Sequence, residues 1–99
     1  MPVDFSRIAA NALRNSETLV PWMIQGGQVR GEEFAALNPR RDDRHLGSFL
    51  VNLRTGRWAD FAMTRVAGGD LISLGAYVWD CSQGQSARRI DDFLSGRGG

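Results

Sequence analysis

The sequence contains very little cysteine or histidine, the residues that most often bind zinc, and cysteine alone forms disulfide cross-links. Cys81 is the only cysteine, so the chain cannot form an internal disulfide. His45 is the only histidine, and it stands far from Cys81 along the chain. A structural zinc site needs about four such ligands, usually in closely spaced pairs. We therefore expect no metal, and we expect Cys81 to be a small packed residue rather than a nucleophile.

Long apolar stretches are also missing. No run of the sequence approaches the ~20 apolar residues that a membrane-spanning helix needs, and no apolar leader segment begins the chain. These two absences favour a cytoplasmic protein with no membrane partner.

Motifs for catalysis are absent as well. The chain has no phosphate loop with Gly-Lys-Ser or Gly-Lys-Thr. His45 has Asp42, Asp43 and Ser48 near it, but their spacing fits no arrangement of a base and a nucleophile. We predict that the protein is not an enzyme, that it has no catalytic residues and that it needs no cofactor.

Lysine is absent, and arginine supplies all 12 basic residues. Arginine offers a planar set of donors that suits phosphate groups and stacks on bases. A GC-rich coding bias would produce the same composition, and the formal net charge is only +1. The arginine content alone therefore does not indicate a nucleic-acid partner.

The chain has the length of a single domain. Its 99 residues are 42% hydrophobic and include three tryptophans, which is enough for a modest core. We predict one domain over residues 1–94, with a helical N-terminal segment over 1–24 and a core over 25–94. The glycine-rich residues 95–99 are predicted to form a flexible tail.

The N-terminal half of the chain predicts helices and then strands. Apolar residues at helical spacing predict a helix over Pro2–Arg14, and a short second helix from Ser16 is predicted to stop near Pro21. Two short strands bent at Gly31 are predicted over 28–37. Alternating apolar residues predict a hairpin with strands over 49–53 and 57–61, and residues 63–69 are predicted to form a loop.

Two helices are predicted at the C-terminal end. Asp70 is a suitable N-cap for a helix over Leu71–Trp79, and Ser82 for a helix over Gln83–Leu94. The expected fold is α+β, with an antiparallel sheet of three to five strands flanked by an N-terminal helix and two C-terminal helices.

Arginines around the predicted hairpin are candidates for binding nucleic acid. Trp58 and Phe61 stand three residues apart on one strand, so their side chains are predicted to lie on opposite faces, with one of them exposed. Arginines near an exposed ring on a sheet are typical of single-stranded nucleic-acid binding. The alternative is a solvated arginine face beside a core aromatic residue. The candidate phosphate contacts, with Trp58 as the stacking ring, are Arg40, Arg41, Arg44, Arg54, Arg57 and Arg65.

Several segments in this order resemble a known family. They are Ser48-Phe49-Leu50-Val51-Asn52, Thr55-Gly56-Arg57-Trp58, Phe61 and Gly68-Gly69-Asp70-Leu71-Ile72. The set resembles the N-terminal zinc-binding domain of bacterial and phage DNA primases. In that domain a Ser-Phe-x-Val-Asn strand, an aromatic strand and a Gly-Gly-Asp-x-Ile helix start follow one another. The resemblance covers residues 33–94.

The positions of the family's zinc ligands carry other residues here. Asn38-Pro39 stands where the family has Cys-Pro, and Arg41 falls near the histidine position. Asp60 stands at the third ligand position and Met63 near the fourth. The resemblance therefore implies a zinc-ribbon-like fold without zinc. The chain looks more like the metal-free versions of this domain that begin plasmid- and phage-encoded primase–helicase proteins.

The resemblance also implies a function. A relative of this kind is expected to be a non-catalytic module that binds single-stranded DNA or recognises the template in mobile-element replication. Its expected partners are single-stranded DNA and a primase or helicase domain. The alternative is a phage or plasmid protein that reuses the scaffold as a protein-binding inhibitor or adaptor, for example against a CRISPR complex.

Overall fold

Four helices and five strands follow one another in a computed structural model of the chain, which describes residues 2–40, 47–63 and 65–96. The fold is α+β, as predicted from the sequence. The helices are α1 (Phe5–Arg14), α2 (Ser16–Met23), α3 (Leu71–Val78) and α4 (Gln83–Leu94), and the strands are β1 (Gln28–Arg30), β2 (Glu33–Ala36), β3 (Phe49–Asn52), β4 (Trp58–Asp60) and β5 (Ala67–Gly68).

The strands form one antiparallel sheet in the order β1-β2-β3-β4-β5. Phe34 on β2 faces Val51 on β3, and Val51 faces Trp58 on β4. All three side chains are buried, and they form one row of the inner face of the sheet. Strand β5 was not predicted, because a segment of two residues is too short to show an alternating pattern.

The predicted hairpin turn between β3 and β4 is confirmed. The side-chain carbonyl of Asn52 accepts hydrogen bonds from the backbone N–H groups of Arg54 (2.9 Å) and Thr55 (3.0 Å). Gly56 then adopts a φ of 81°, a conformation that costs glycine little and other residues more. The turn therefore depends on Asn52 and Gly56 together.

Both predicted N-caps of the C-terminal helices are confirmed. The Asp70 carboxylate accepts a hydrogen bond from the Ser73 backbone N–H at 2.8 Å. Ser82 and Gln85 form a reciprocal capping box at the start of α4, with two hydrogen bonds of 3.0 Å. These contacts satisfy backbone donors that a helix start would otherwise leave without partners.

The second N-terminal helix is longer than the sequence predicted. Pro21 removes one backbone donor inside α2, yet the helix continues to Met23. Leu19 and Val20 are fully buried, and Trp22 stacks on Phe93 of α4 with 4.0 Å between the ring centroids. Tertiary packing of this turn therefore outweighs the local cost of the proline.

A single hydrophobic core joins the N-terminal helices to the rest of the chain. It includes Ile8 and Ala12 of α1, Leu74 of α3 and Ile90 of α4, together with the inner face of the sheet. The Ser16 hydroxyl adds a buried hydrogen bond of 2.6 Å to the carbonyl of Leu53. Helices α1 and α2 are therefore an integral part of the core. No helix among the described residues is long and apolar enough to cross a membrane.

Gly75 allows α3 and α4 to approach closely. A Cβ atom at this position would overlap the Ser86 hydroxyl and would lie 2.7 Å from a ring carbon of Trp79. Ser86 is fully buried and its hydroxyl donates to the carbonyl of Ile72 at 2.7 Å, so it cannot turn away without losing this bond.

We expect Gly75→Ala to lower the stability of the protein. Overpacking of a core typically costs about 1–3 kcal/mol, which is more than the roughly 1 kcal/mol that alanine gains over glycine inside a helix. Thermal unfolding followed by circular dichroism measures the change in Tm. Gly84→Ala is the matched control, because the nearest atom to its added Cβ is 3.9 Å away. An unchanged or raised Tm for Gly75→Ala would contradict the close-packing role.

Candidate nucleic-acid interface

The outer face of the sheet forms an open depression of about 720 Å³. Its apolar floor includes Leu50, Ala59 and Ala67, which face one another across β3, β4 and β5. Glu33, Asn52 and Thr55 add polar groups along its rim. A shallow surface with an apolar floor and polar margins suits an extended ligand better than a small enclosed one.

Phe61 is the exposed aromatic residue of this surface. Its side chain is 74% exposed and lines the depression directly after the end of β4. The backbone beneath it is held firmly, because the Phe61 N–H donates to the carbonyl of Ser48 at 2.7 Å and the Asp60 carboxylate accepts from the Ala62 N–H at 3.0 Å. Phe61 thus presents a ring to solvent on a fixed backbone.

Trp58 lies on the other side of the strand and is only 6% exposed. Its indole N–H donates to the Ser73 hydroxyl at 2.9 Å, and its ring lies 5.3 Å from that of Tyr77. The expectation that Trp58 is the stacking ring was therefore wrong. The alternating strand geometry was predicted correctly, but only the packing of α3 decides which of the two aromatic residues is covered.

Arg57 borders the same depression as Phe61. It is exposed, and its backbone carbonyl accepts a hydrogen bond from the Asn52 N–H at 2.7 Å, which places it beside the β3–β4 turn. Within residues 2–40, 47–63 and 65–96, its guanidinium contacts no carboxylate or other acceptor. Its donors are therefore available to a ligand in the depression.

Other predicted arginines are engaged elsewhere or lie apart from Phe61. Arg54 forms an ion pair with Glu32 at 2.9 Å, and both residues border a different cleft, beside the start of α2. Arg40 lies over the ring of Tyr77 at 5.1 Å and pairs with Asp80 at 3.6 Å. Arg65 is exposed in the loop before β5 but does not line the depression.

The other residues that the sequence predicted for the site or the tail lie partly outside the described ranges. Arg41, Arg44 and His45 lie outside the described residues. The last three residues of the predicted tail also lie outside them. Of the described candidate arginines, only Arg57 lies in the depression with Phe61, so the structure does not gather these arginines into one patch.

A buried polar cluster links the loop after β2 to β4 and α3. The side-chain amide of Asn38 donates to the Asp60 carboxylate and to the Tyr77 hydroxyl, both at 2.8 Å. Asn38 and Asp60 are each 1% exposed. Sequence reasoning did not predict this contact, since no local pattern relates residues 22 positions apart. The cluster holds the end of β4, and with it the backbone that carries Phe61.

Metal-binding side chains do not cluster in the described ranges. Residues 2–40, 47–63 and 65–96 contain no group of three His, Cys, Asp or Glu residues close enough to hold a metal ion. Cys81 is partly buried in the connection between α3 and α4, which fits its predicted packing role better than that of an exposed nucleophile.

We expect Asn38→Ala to destabilise the fold, because it leaves the buried Asp60 carboxylate with one donor fewer. Removing one partner of a buried polar group costs about 1–3 kcal/mol, and more when that group is charged. Urea unfolding measures the free-energy change. Tyr77→Phe is the control, since it removes one acceptor of Asn38 but leaves the bond to Asp60. Equal stability of Asn38→Ala and the wild type would show that the cluster is dispensable.

Trp58→Phe separates a core role from a binding role. The substitution removes the indole donor to Ser73, and we expect a loss of stability of about 1–3 kcal/mol from the lost bond and the reduced packing. We also expect unchanged affinity for single-stranded DNA, as measured by fluorescence anisotropy on folded protein. Weaker DNA binding at equal foldedness would mean that the Trp58 ring takes part in binding after all.

Comparisons with known proteins leave the function to be inferred from these residues. No family model matches the chain, and neither a curated protein nor a solved structure does. The exposed ring, the Arg57 guanidinium that has no partner among the described residues, and the open face of the sheet are therefore the observations from which a function can be argued.

Proposed function

We propose that the protein is a non-catalytic module that binds single-stranded DNA or recognises the template in a phage or plasmid primase–helicase system. It acts in the cytoplasm, beside a primase or helicase domain. One observation carries the proposal: Phe61, 74% exposed, lies on the open face of a sheet together with Arg57, whose guanidinium has no partner in the part of the chain that the structure describes.

Single-stranded nucleic acid suits this surface for two physical reasons. A base that stacks on an exposed ring gains about 1–3 kcal/mol, and stacking tolerates any base because all bases have a π face. Arginine binds phosphate through a planar fork of donors and stays charged at every physiological pH. Glu33 on the rim would repel phosphate, so the backbone of a bound strand is expected to follow the side that carries Arg57.

The family resemblance gains support from the buried polar cluster. Asn38 and Asp60 stand at positions matched to the first and third zinc ligands of the primase domain, and their side chains are 2.8 Å apart. Met63, near the fourth position, donates its backbone N–H to the carbonyl of Asp60 at 3.0 Å. In a metal-free relative, hydrogen bonds of this kind take over the cross-linking that zinc supplies in the family.

A protein-binding inhibitor or adaptor is the second candidate function. Arg54 and Arg40 already pair with Glu32 and Asp80, which lowers the number of cations available to a phosphate backbone. A near-neutral surface with paired charges is more typical of a protein-binding face than of a nucleic-acid groove.

We expect the protein to bind fluorescein-labelled oligo(dT), and we expect Phe61→Ala to weaken the affinity. The loss of one stacked base corresponds to about a 5- to 150-fold rise in Kd. Arg57→Gln is expected to lower the slope of log K against log salt by about 0.7, the value for one phosphate contact with a single strand. Fluorescence-anisotropy titrations over a series of salt concentrations measure both effects.

Two matched controls accompany this experiment. Val29→Ala removes another exposed apolar side chain (59% exposed) from edge strand β1, and Arg88→Gln removes another exposed arginine, from α4. Neither residue borders the depression, so neither variant should change oligo(dT) affinity by more than about twofold. If wild-type protein does not bind oligo(dT) even at low salt, the nucleic-acid function is wrong and the adaptor function takes its place.

A further inference from the structure

A second cluster of aromatic residues lies on the helical part of the molecule. Trp22 of α2 stacks on Phe93 of α4, with ring centroids 4.0 Å apart and planes within 14°. Trp79, at the end of α3, meets Trp22 edge to face at 5.7 Å. All three side chains are partly exposed. This aromatic cluster shares no residue with the depression on the sheet.

Arg89 of α4 completes the cluster. Its guanidinium carbon lies 4.3 Å from the ring centroid of Trp79 and 5.8 Å from that of Trp22. Arg89 remains exposed, and within the described residues no acceptor binds its donors. The rings therefore hold the guanidinium in place while its in-plane N–H groups remain open to a ligand.

The chemistry of this surface selects an anionic ligand with an apolar part. A stacked guanidinium presents a fork of donors that matches the two oxygens of a carboxylate. Asp91, two residues after Arg89 on α4, pairs with Arg7 at 3.4 Å, whereas Asp92, one turn after Arg89, is exposed. Trp and Arg are among the residue types that are enriched at the energetic hot spots of protein interfaces.

Nucleic acid fits the cluster less well than protein does. A base needs a free ring face on which to stack. Trp22 is stacked against Phe93, and Trp79 carries Arg89 over its ring. The ring edges and the Arg89 fork remain, and these suit an aliphatic or aromatic side chain next to a carboxylate.

We propose that Trp22, Trp79, Phe93 and Arg89 form a docking surface for an acidic segment of a partner protein. A carboxylate of the segment binds the Arg89 fork, and an adjacent apolar side chain packs on the exposed edges of the rings. This surface is independent of the depression that carries the proposed DNA binding, so one module can hold a strand and a protein partner at the same time.

The test uses the whole chain and a short fluorescein-labelled peptide of alternating acidic (Asp, Glu) and apolar (Leu, Phe) residues. We expect saturable binding by fluorescence anisotropy, and no such binding for the same peptide with Asn and Gln in place of the acids. Arg89→Gln should raise the Kd about tenfold or more, as expected for the loss of charge-assisted hydrogen bonds. Arg89→Lys keeps the charge but not the fork, and it should also weaken binding.

Arg88→Gln is the matched control, since it removes the same charge from the next residue of the same helix and should change the Kd by less than about twofold. Thermal melts establish that each variant is folded. The proposal is overturned if the acidic and amide peptides bind equally, or if no binding saturates below about 1 mM. It is also overturned if Arg89→Gln weakens oligo(dT) binding rather than peptide binding. A loss of oligo(dT) binding that is confined to Phe61→Ala tests the proposed DNA function and does not bear on the docking surface.

Discussion

The burial of Trp58 between the sheet and α3 is the interaction on which the rest of the structure depends. Its indole N–H binds the hydroxyl of Ser73, whose own backbone N–H is capped by Asp70, so β4 and the start of α3 are joined by consecutive hydrogen bonds. Gly68 of β5 packs directly against the indole, where any side chain would overlap it. One tryptophan therefore locates a helix start and the edge strand of the sheet.

The same burial decides which surface is available for binding. Because side chains alternate along a strand, covering Trp58 on the inner face places Arg57 and Ala59 on the outer one. Phe61 then follows the strand on the uncovered side. The Asn38–Asp60 hydrogen bond also holds this end of β4, because Asp60 is buried two positions after Trp58 on the same strand. The backbone that carries the exposed ring is thus supported by two buried polar contacts, Trp58–Ser73 and Asn38–Asp60.

The helical part of the molecule combines packing with a second exposed surface. Gly75 brings α4 close to α3, and this approach puts Arg89 over Trp79 and Phe93 against Trp22. Pro21 is tolerated in α2 because this same packing holds the last turn of the helix. The aromatic cluster therefore stabilises the N-terminal helices while leaving ring edges and one guanidinium accessible to a partner.

The sequence by itself determined the features that depend on local chemistry. The caps at Asp70 and Ser82, the turn at Gly56 and the alternation of β3 follow from side chains near one another in the chain, so the α+β fold and most element boundaries were predictable. Only the tertiary structure decided what depends on distant residues. These features are the two-residue strand β5, the continuation of α2 past Pro21, the Asn38–Asp60 contact and the choice of Phe61 over Trp58 as the exposed ring. The physical reason is that burial is a property of the packed chain: a periodic pattern shows that two faces exist, but the helix that packs on one of them comes from elsewhere in the sequence.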